Sequence, residues 1–174
     1  MGFNINFRSI ESEKDIHNLV KFILGQPLSY NGYNDWVQRI INEFYCGYKQ
    51  AILGLIDEVL VASLIYQNHK EFSRIRELKN LRVDPRVQGR CISQFMIRQA
   101  EMENRKNYDA VMCDIRSNKK GIIKLFESMG YEKLIEVPFY QKDVLDTVLV
   151  KRFKTTPSGI LTPMKRKIIE GVAC

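Results

Sequence analysis

The sequence holds only two histidines, His17 and His69, and four scattered cysteines, Cys46, Cys91, Cys113 and Cys174. There is no C-x-x-C pair, and neither histidine stands at a ligand spacing from another donor. A zinc site and a disulfide framework are therefore not expected, and no metal is assigned. A Cys–His nucleophile pair has few candidates; Cys46 and Cys113 read as small buried hydrophobes. No apolar run approaches the about 20 residues that cross a bilayer as a helix, so no membrane partner is expected. "MGFNINFRSI" lacks the basic and then apolar regions of a secretion signal. Asn6 stands where a myristoylation site has Ser or Thr. The cytoplasm is the expected compartment.

What is present is the composition of a folded soluble chain: 174 residues, 45% hydrophobic and 27% charged. That length suits one domain with a sizeable core and is short for two. A net charge of +7 favours a polyanionic partner: nucleic acid, a membrane surface or a small molecule with several phosphates. The basic residues form no long block except "MKRK" at 164–167. Basic residues interleaved with aromatics on one strand face, as an RNA-binding sheet shows, are missing, so nucleic acid is not the expected partner.

Periodicity divides the chain. "INFRSI" (5–10) reads as a strand. A helix follows, with Ser12 as N-cap and Ile16, Leu19, Val20 and Ile23 on one face. "QPLSYNGYN" is a loop, and "DWVQRIINEFYCG" a second helix with Trp36, Ile40, Ile41 and Phe44 inward, stopped by Gly47. Residues 50–67 form two β-type runs about Asp57-Glu58, a hairpin. A third long strand spans 73–83, alternating Ile75, Glu77, Lys79, Leu81 and Val83 against Arg76, Leu78, Asn80 and Arg82, and ends at Pro85. A helix over 91–106 turns Ile92, Phe95, Met96 and Ala100 inward. "YDAVMCDI" (108–115) has the wholly apolar character of a strand buried on both faces. The last main helix, 118–130, starts at Ser117 or Asn118 and closes on Gly130; two more strands follow. The β-α-β unit from Leu78 to Ile115 should set two strands side by side and parallel. No internal repeat or splitting linker is visible. Residues 1–153 read as one domain and 154–174 as an arm or short docked helix.

Between the third strand and its helix lies "VDPRVQGRCIS" (83–93). A sharp strand-to-helix turn leaves backbone N–H groups pointing outward, and with the helix dipole these attract an anion. Gly89 permits close approach and positive φ, and Arg90 supplies a cation suited to phosphate oxygens. Downstream stands "NKKGIIKLFESMGY" (118–131). A hairpin, a long strand, this loop, a helix, a buried strand and that second segment together resemble the GNAT superfamily of acetyl-CoA-dependent N-acetyltransferases, over about residues 5–153. The family loop is Q/R-x-x-G-x-G/A, and Gln88, Gly89, Arg90, Cys91, Ile92 and Ser93 are set on it. "LRVDP" resembles the family's strand end. Asn118, Gly121, Phe126, Glu127, Ser128, Met129, Gly130 and Tyr131 resemble the second signature.

The resemblance implies an α/β (α+β) fold: a central, mixed, strongly twisted sheet of about six to seven strands flanked by about four helices. It implies acetyl-CoA as co-substrate, its pyrophosphate on the amides of Gln88 to Ser93. The pantetheine would lie along Leu81, Arg82 and Val83 as an added strand does, with Asn118, Gly121 and Phe126 also at the cofactor. A backbone N–H near Arg82 or Val83 would polarise the acetyl carbonyl. An amine would attack directly, with proximity supplying much of the rate and an acid and a base the rest.

Three departures bear on this. Cys91 and Ser93 stand at positions expected to be smaller. Phe126 falls where many relatives have a tyrosine thought to protonate the thiolate, and phenylalanine cannot do so. The segment "GIIKLF" is also one residue longer than the usual spacing. Glu77, on the strand leading to Val83, is the base candidate: its alternation with Ile75 and Leu81 turns it inward or toward the cleft, where a carboxylate needs a partner; the alternative is a salt-bridged strand residue. Asp114 and Glu136 are lesser candidates. Tyr30 and Tyr33, in the loop where the family builds its acceptor pocket, are the substrate-binding candidates. The expected function is acetyl transfer from acetyl-CoA to a primary amine of a small molecule or protein. A GNAT-fold module that binds CoA or a protein with little catalysis is the alternative, and the tail could pack across a homodimer.

Overall fold

A computed structural model of the chain describes residues 4–28, 32–153 and 161–172. In order they form β1 (Asn6–Ser9), α1 (Glu13–Leu24), α2 (Tyr33–Tyr45), β2 (Lys49–Ile56), β3 (Val59–Asn68) and β4 (Ile75–Val83). Then follow α3 (Ile92–Met102), β5 (Ala110–Arg116), α4 (Lys120–Ser128), β6 (Glu132–Gln141), β7 (Val144–Arg152) and α5 (Leu161–Val172). The seven strands make one sheet in the order β1-β2-β3-β4-β5-β7-β6. Its β1–β2, β2–β3, β5–β7 and β6–β7 pairs are antiparallel. A helix, α3, joins β4 to its neighbour β5, the connection that a parallel pair requires. Two compact units share the chain: Met1–Gln67 with Leu78–Glu103, and Asn68–Glu77 with Asn104–Cys174.

In the first unit the start of α1 is fixed by a reciprocal cap. Asp15 N–H donates to Ser12 Oγ at 3.3 Å, and Ser12 N–H donates back to Asp15 Oδ2 at 3.1 Å. Such a box contributes about 1 kcal/mol. Ile16, Leu19 and Ile23 of α1 pack with Ile40 and Phe44 of α2 over Ala51, Leu53 and Leu55 of β2. The pleat sends Ile52 and Gly54 to the opposite face. There a Cβ on Gly54 would lie 3.1 Å from Ala62 Cβ and 3.2 Å from the ring of Phe7, so glycine is what lets β1 and β3 close in. Asp57 and Glu58 both take positive φ, 47° and 62°, the left-handed pair that joins hairpin strands with matching twist.

Four sequence expectations are corrected here. Helix α2 begins at Tyr33 rather than Asp35, with Gly32 at φ 77° ahead of it. Phe95 is 52% exposed, stacked on Phe7 at 4.4 Å between centroids; Ile97, which the pattern missed, is buried in its place, because the helical face turns by about 100° per residue. Cys46 is exposed at the end of α2, and Cys113 alone of the two is buried. Helix α4 starts at Lys120, leaving Asn118 ahead of the cap residue Lys119.

In the second unit Ile75, Ala110, Met112, Val148 and Val150 form the core, joined by Met164 of α5, which is fully buried. Strand β7 lies between β5 and β6, with Met112 opposite Val150 and Asp114 opposite Val148. Helix α4 ends as its glycine predicts. Gly130 is at φ 89°, its N–H donates to Glu127 O, and Tyr131 N–H donates to Phe126 O at 3.1 Å.

Candidate active site

The loop after β4 is built by its own polar groups. Asp84 accepts from the N–H of Arg86 at 2.9 Å and from its guanidinium Nη2 at 2.7 Å, capping the 3-10 turn Pro85–Val87. Those hydrogen bonds pull the Asp84 carboxyl down to about 2. Gln88 Nε2 donates to Val83 O at 3.1 Å and closes the loop on the strand end. Gly89 and Cys91 follow at φ 76° and 58°, and α3 begins at Ile92.

Cys91 gives α3 no side-chain cap. The first helical bond runs from Phe95 N–H to Cys91 O, at 3.1 Å. The amides of Ile92, Ser93 and Gln94 therefore stand in the first turn, where N–H groups lack helical acceptors and the dipole is positive. Left-handed residues beside an exposed helix start make a concave array of N–H groups suited to phosphate oxygens. A Cβ on Gly89 would meet nothing within 4 Å, so the loop needs its conformation and not its small size. Gln88, Gly89, Arg90 and Cys91 are all exposed.

The structure also moves the loop register. The two tight positions are the ones at positive φ, Gly89 and Cys91. The pattern R-x-x-G-x-C thus runs from Arg86 to Cys91, not from Gln88. Ser93, expected at a tight position, is the second residue of α3 and half-buried, and Ile92 is a core residue. Leu81, Arg82 and Val83 are half-buried at the end of β4. Arg82 Nε and Nη2 and Asn80 Oδ1 are buried without a hydrogen-bond partner among the described residues, so the strand end carries polar capacity for a ligand.

In the second unit Glu77 has a side chain only 13% exposed, and His69 Nε2 lies 3.9 Å from its Oε1. This histidine is one partner of the sheltered carboxylate. On β4 the expected alternation breaks down: Ile75 is buried together with Arg76, Leu78 and Asn80, while Glu77, Lys79 and Leu81 are half-buried. The reason is visible at Arg76, whose guanidinium lies 4.2 Å from the centroid of the Tyr108 ring; cation–π contact and the arginine stem offset its burial.

The other candidates separate. Asp114 accepts from the Tyr140 hydroxyl at 2.8 Å. Glu136 pairs with Lys133, which holds its carboxyl below the ordinary value. Gly121 is exposed with open space around it, and Asn118 is exposed. Phe126 is no surface group: it is 3% exposed and meets Tyr131 edge-to-face at 4.9 Å. Tyr33, expected in a pocket loop, is 4% exposed, and its hydroxyl donates to Ile23 O at 3.0 Å, tying α2 to α1. Tyr30 lies outside the described residues.

Sequence reading missed two features. His69 is read from sequence only as one of two histidines without a ligand spacing; its place eight residues before Glu77, across the turn between two strands, is the available signal. Asp146, 1% exposed, faces Arg116 at 3.4 Å, and burial pushes its carboxyl up. That pair is 30 residues apart, beyond any local pattern.

Solved structures match the chain over most of its length. A protein of Desulfovibrio desulfuricans assigned to the GNAT family of acetyltransferases has a TM-score of 0.75 at 11% identity, covering 86% of this chain and 99% of its own. This chain has the GNAT acetyltransferase fold. The PaiA N-acetyltransferase of Thermoplasma acidophilum, in complex with coenzyme A, shares the GNAT-like architecture at TM-score 0.66 and 14% identity, over 86% of this chain and 99% of its own. NAA60 of Arabidopsis thaliana, in complex with a bisubstrate analogue, does so at 0.69 and 15%, over 87% of this chain and 100% of its own. No protein-family model and no curated protein matches the sequence. At such identities the GNAT likeness is one of fold, and activity has to be argued from the site.

Proposed function

We propose that the protein is an acyltransferase that moves the acetyl group of acetyl-CoA directly onto a primary amine of a small molecule or protein. The observation that carries this reading is the loop Arg86–Cys91, with two left-handed residues and an uncapped helix start, on a GNAT fold. The amides from Gly89 into the first turn of α3 would hold the diphosphate, and Arg90 would add a mobile cation. Acetyl-CoA supplies an activated thioester carbonyl. Glu77 is the group that would take the proton from the acceptor's ammonium so that its lone pair can attack. Neighbours described as bound to coenzyme A or to a bisubstrate analogue support the choice of co-substrate.

One observation favours a second reading, a module that binds CoA with little turnover. Phe126 offers no hydroxyl and is turned into the core, so it cannot protonate a leaving thiolate. Calorimetric titration with acetyl-CoA, followed by thiol release against a panel of amines, separates the two. Binding with thiol release is the expected result. Binding without release from any amine would favour the module, and no binding would overturn both.

A further inference from the structure

His69 occupies a bond pattern that fixes its ring. The N–H groups of Glu71 and Phe72 donate to Nδ1 at 3.1 and 3.2 Å. His69 N–H donates to Ile75 O at 2.8 Å, and Phe72 packs beside the ring at 5.0 Å between centroids. A nitrogen that accepts from backbone donors carries no proton, so the neutral ring bears its proton on Nε2. Nε2 is the atom that faces Glu77. The charged groups about the ring are Glu77, Glu71 and, paired with Glu71 at 2.9 Å, Lys167 of α5.

We propose that His69 is a positioning residue for Glu77: a histidine of fixed tautomer whose Nε2 side, 3.9 Å from the carboxylate, holds that side chain in place. The proposal rests on the reading of Glu77 as the base. The proton that leaves the acceptor's ammonium goes to Glu77, while His69 keeps its own. Nδ1 cannot be protonated without displacing two backbone donors, so the ring is a fixed dipole rather than a relay. The turn that holds it is braced from α5, because Phe72 packs against the core that Met164 joins and Lys167 pairs with Glu71.

Two variants separate this role from simple support of the turn. In His69→Asn the amide oxygen can still accept from the backbone as Nδ1 does, but the shorter side chain withdraws from Glu77. In His69→Gln a donor is restored near the Nε2 position. One readout needs no turnover: the imidazole nitrogen shifts of the ligand-free protein, expected to show an Nε2–H tautomer. In His69→Asn kcat should fall about tenfold with acetyl-CoA affinity unchanged, and His69→Gln should recover most of it. An Nδ1–H tautomer, or an unmoved kcat in a folded His69→Asn protein, would overturn the proposal. Wild-type protein that binds acetyl-CoA but releases no thiol would overturn the catalytic role of Glu77, and with it that of His69. The tautomer tells that failure apart from a failure of the contact itself.

Discussion

Gly89 and Cys91 stand two residues apart, both in left-handed backbone at φ 76° and 58°, with Arg90 between them. Glycine adopts that region without strain, whereas a residue with a Cβ gives up about 1–2 kcal/mol. Gly89→Val should therefore keep the fold and lose acetyl-CoA binding, since the space is open and the conformation is what fails. Cys91→Gly should raise stability by up to about 1 kcal/mol, less the entropy that glycine adds to the unfolded chain, and bind acetyl-CoA at least as well. Urea unfolding and calorimetry read both. Undiminished affinity in Gly89→Val would remove the loop from the site.

Arg8 grips Asp15 with two charge-assisted bonds of 2.7 and 2.8 Å, joining β1 to the cap of α1. The hydrogen bonds from Arg8 hold the Asp15 carboxyl well below its usual value of 3.8. A carboxyl lowered on folding contributes stability that is complete above the unfolded value and is lost as pH falls through the folded one. Asp15→Asn should cost about 2 kcal/mol at neutral pH. The gap from wild type should narrow in urea titrations as the pH falls below about 4. A gap independent of pH would mean that the carboxylate is not what stabilises the cap.

Arg86 lowers Asp84 to about 2, chiefly through its side-chain hydrogen bond. In Arg86→Ala the Asp84 midpoint should climb toward its usual value of 3.8, followed by carboxyl-carbon NMR. Because Arg86 would also lie beside a bound diphosphate, acetyl-CoA affinity should fall in the same variant, most at low salt. A midpoint that stays near 2 would show that the backbone bond alone sets it.

Met164 is fully buried in the core of the second unit, although it lies in the "MKRK" stretch whose charge stands out in the sequence. Met164→Ala should cost about 2–5 kcal/mol, whereas Lys165→Ala, at an exposed position, should be nearly neutral. Thermal unfolding distinguishes them.

The local order of the chain determined much of this structure by itself. Ser12 and Asp15, Asp57-Glu58, and Gly130 each fix a start, a turn or an end through neighbours a few residues away. The apolar run from Ala110 to Cys113 could belong only to a strand buried on both faces. The strand, loop and helix about Gly89 were legible for the same reason, since an anion-binding turn is made by contiguous amides.

Tertiary packing decided what periodicity leaves open. An arginine could be buried on β4 because Tyr108, 32 positions away, lies against it. Phe95 could be exposed because Phe7 from β1 meets it, and Tyr33 became a helix residue because Ile23 offered its carbonyl. The loop register was set by which residues take positive φ, a property of the closed turn and not of residue type. The pairing of His69 with Glu77 needed the β3–β4 turn to fold back and the ring nitrogen to be occupied by backbone donors. Sequence names the groups that can do chemistry; the folded chain decides which atoms face each other, because those distances are fixed by contacts between residues far apart along it.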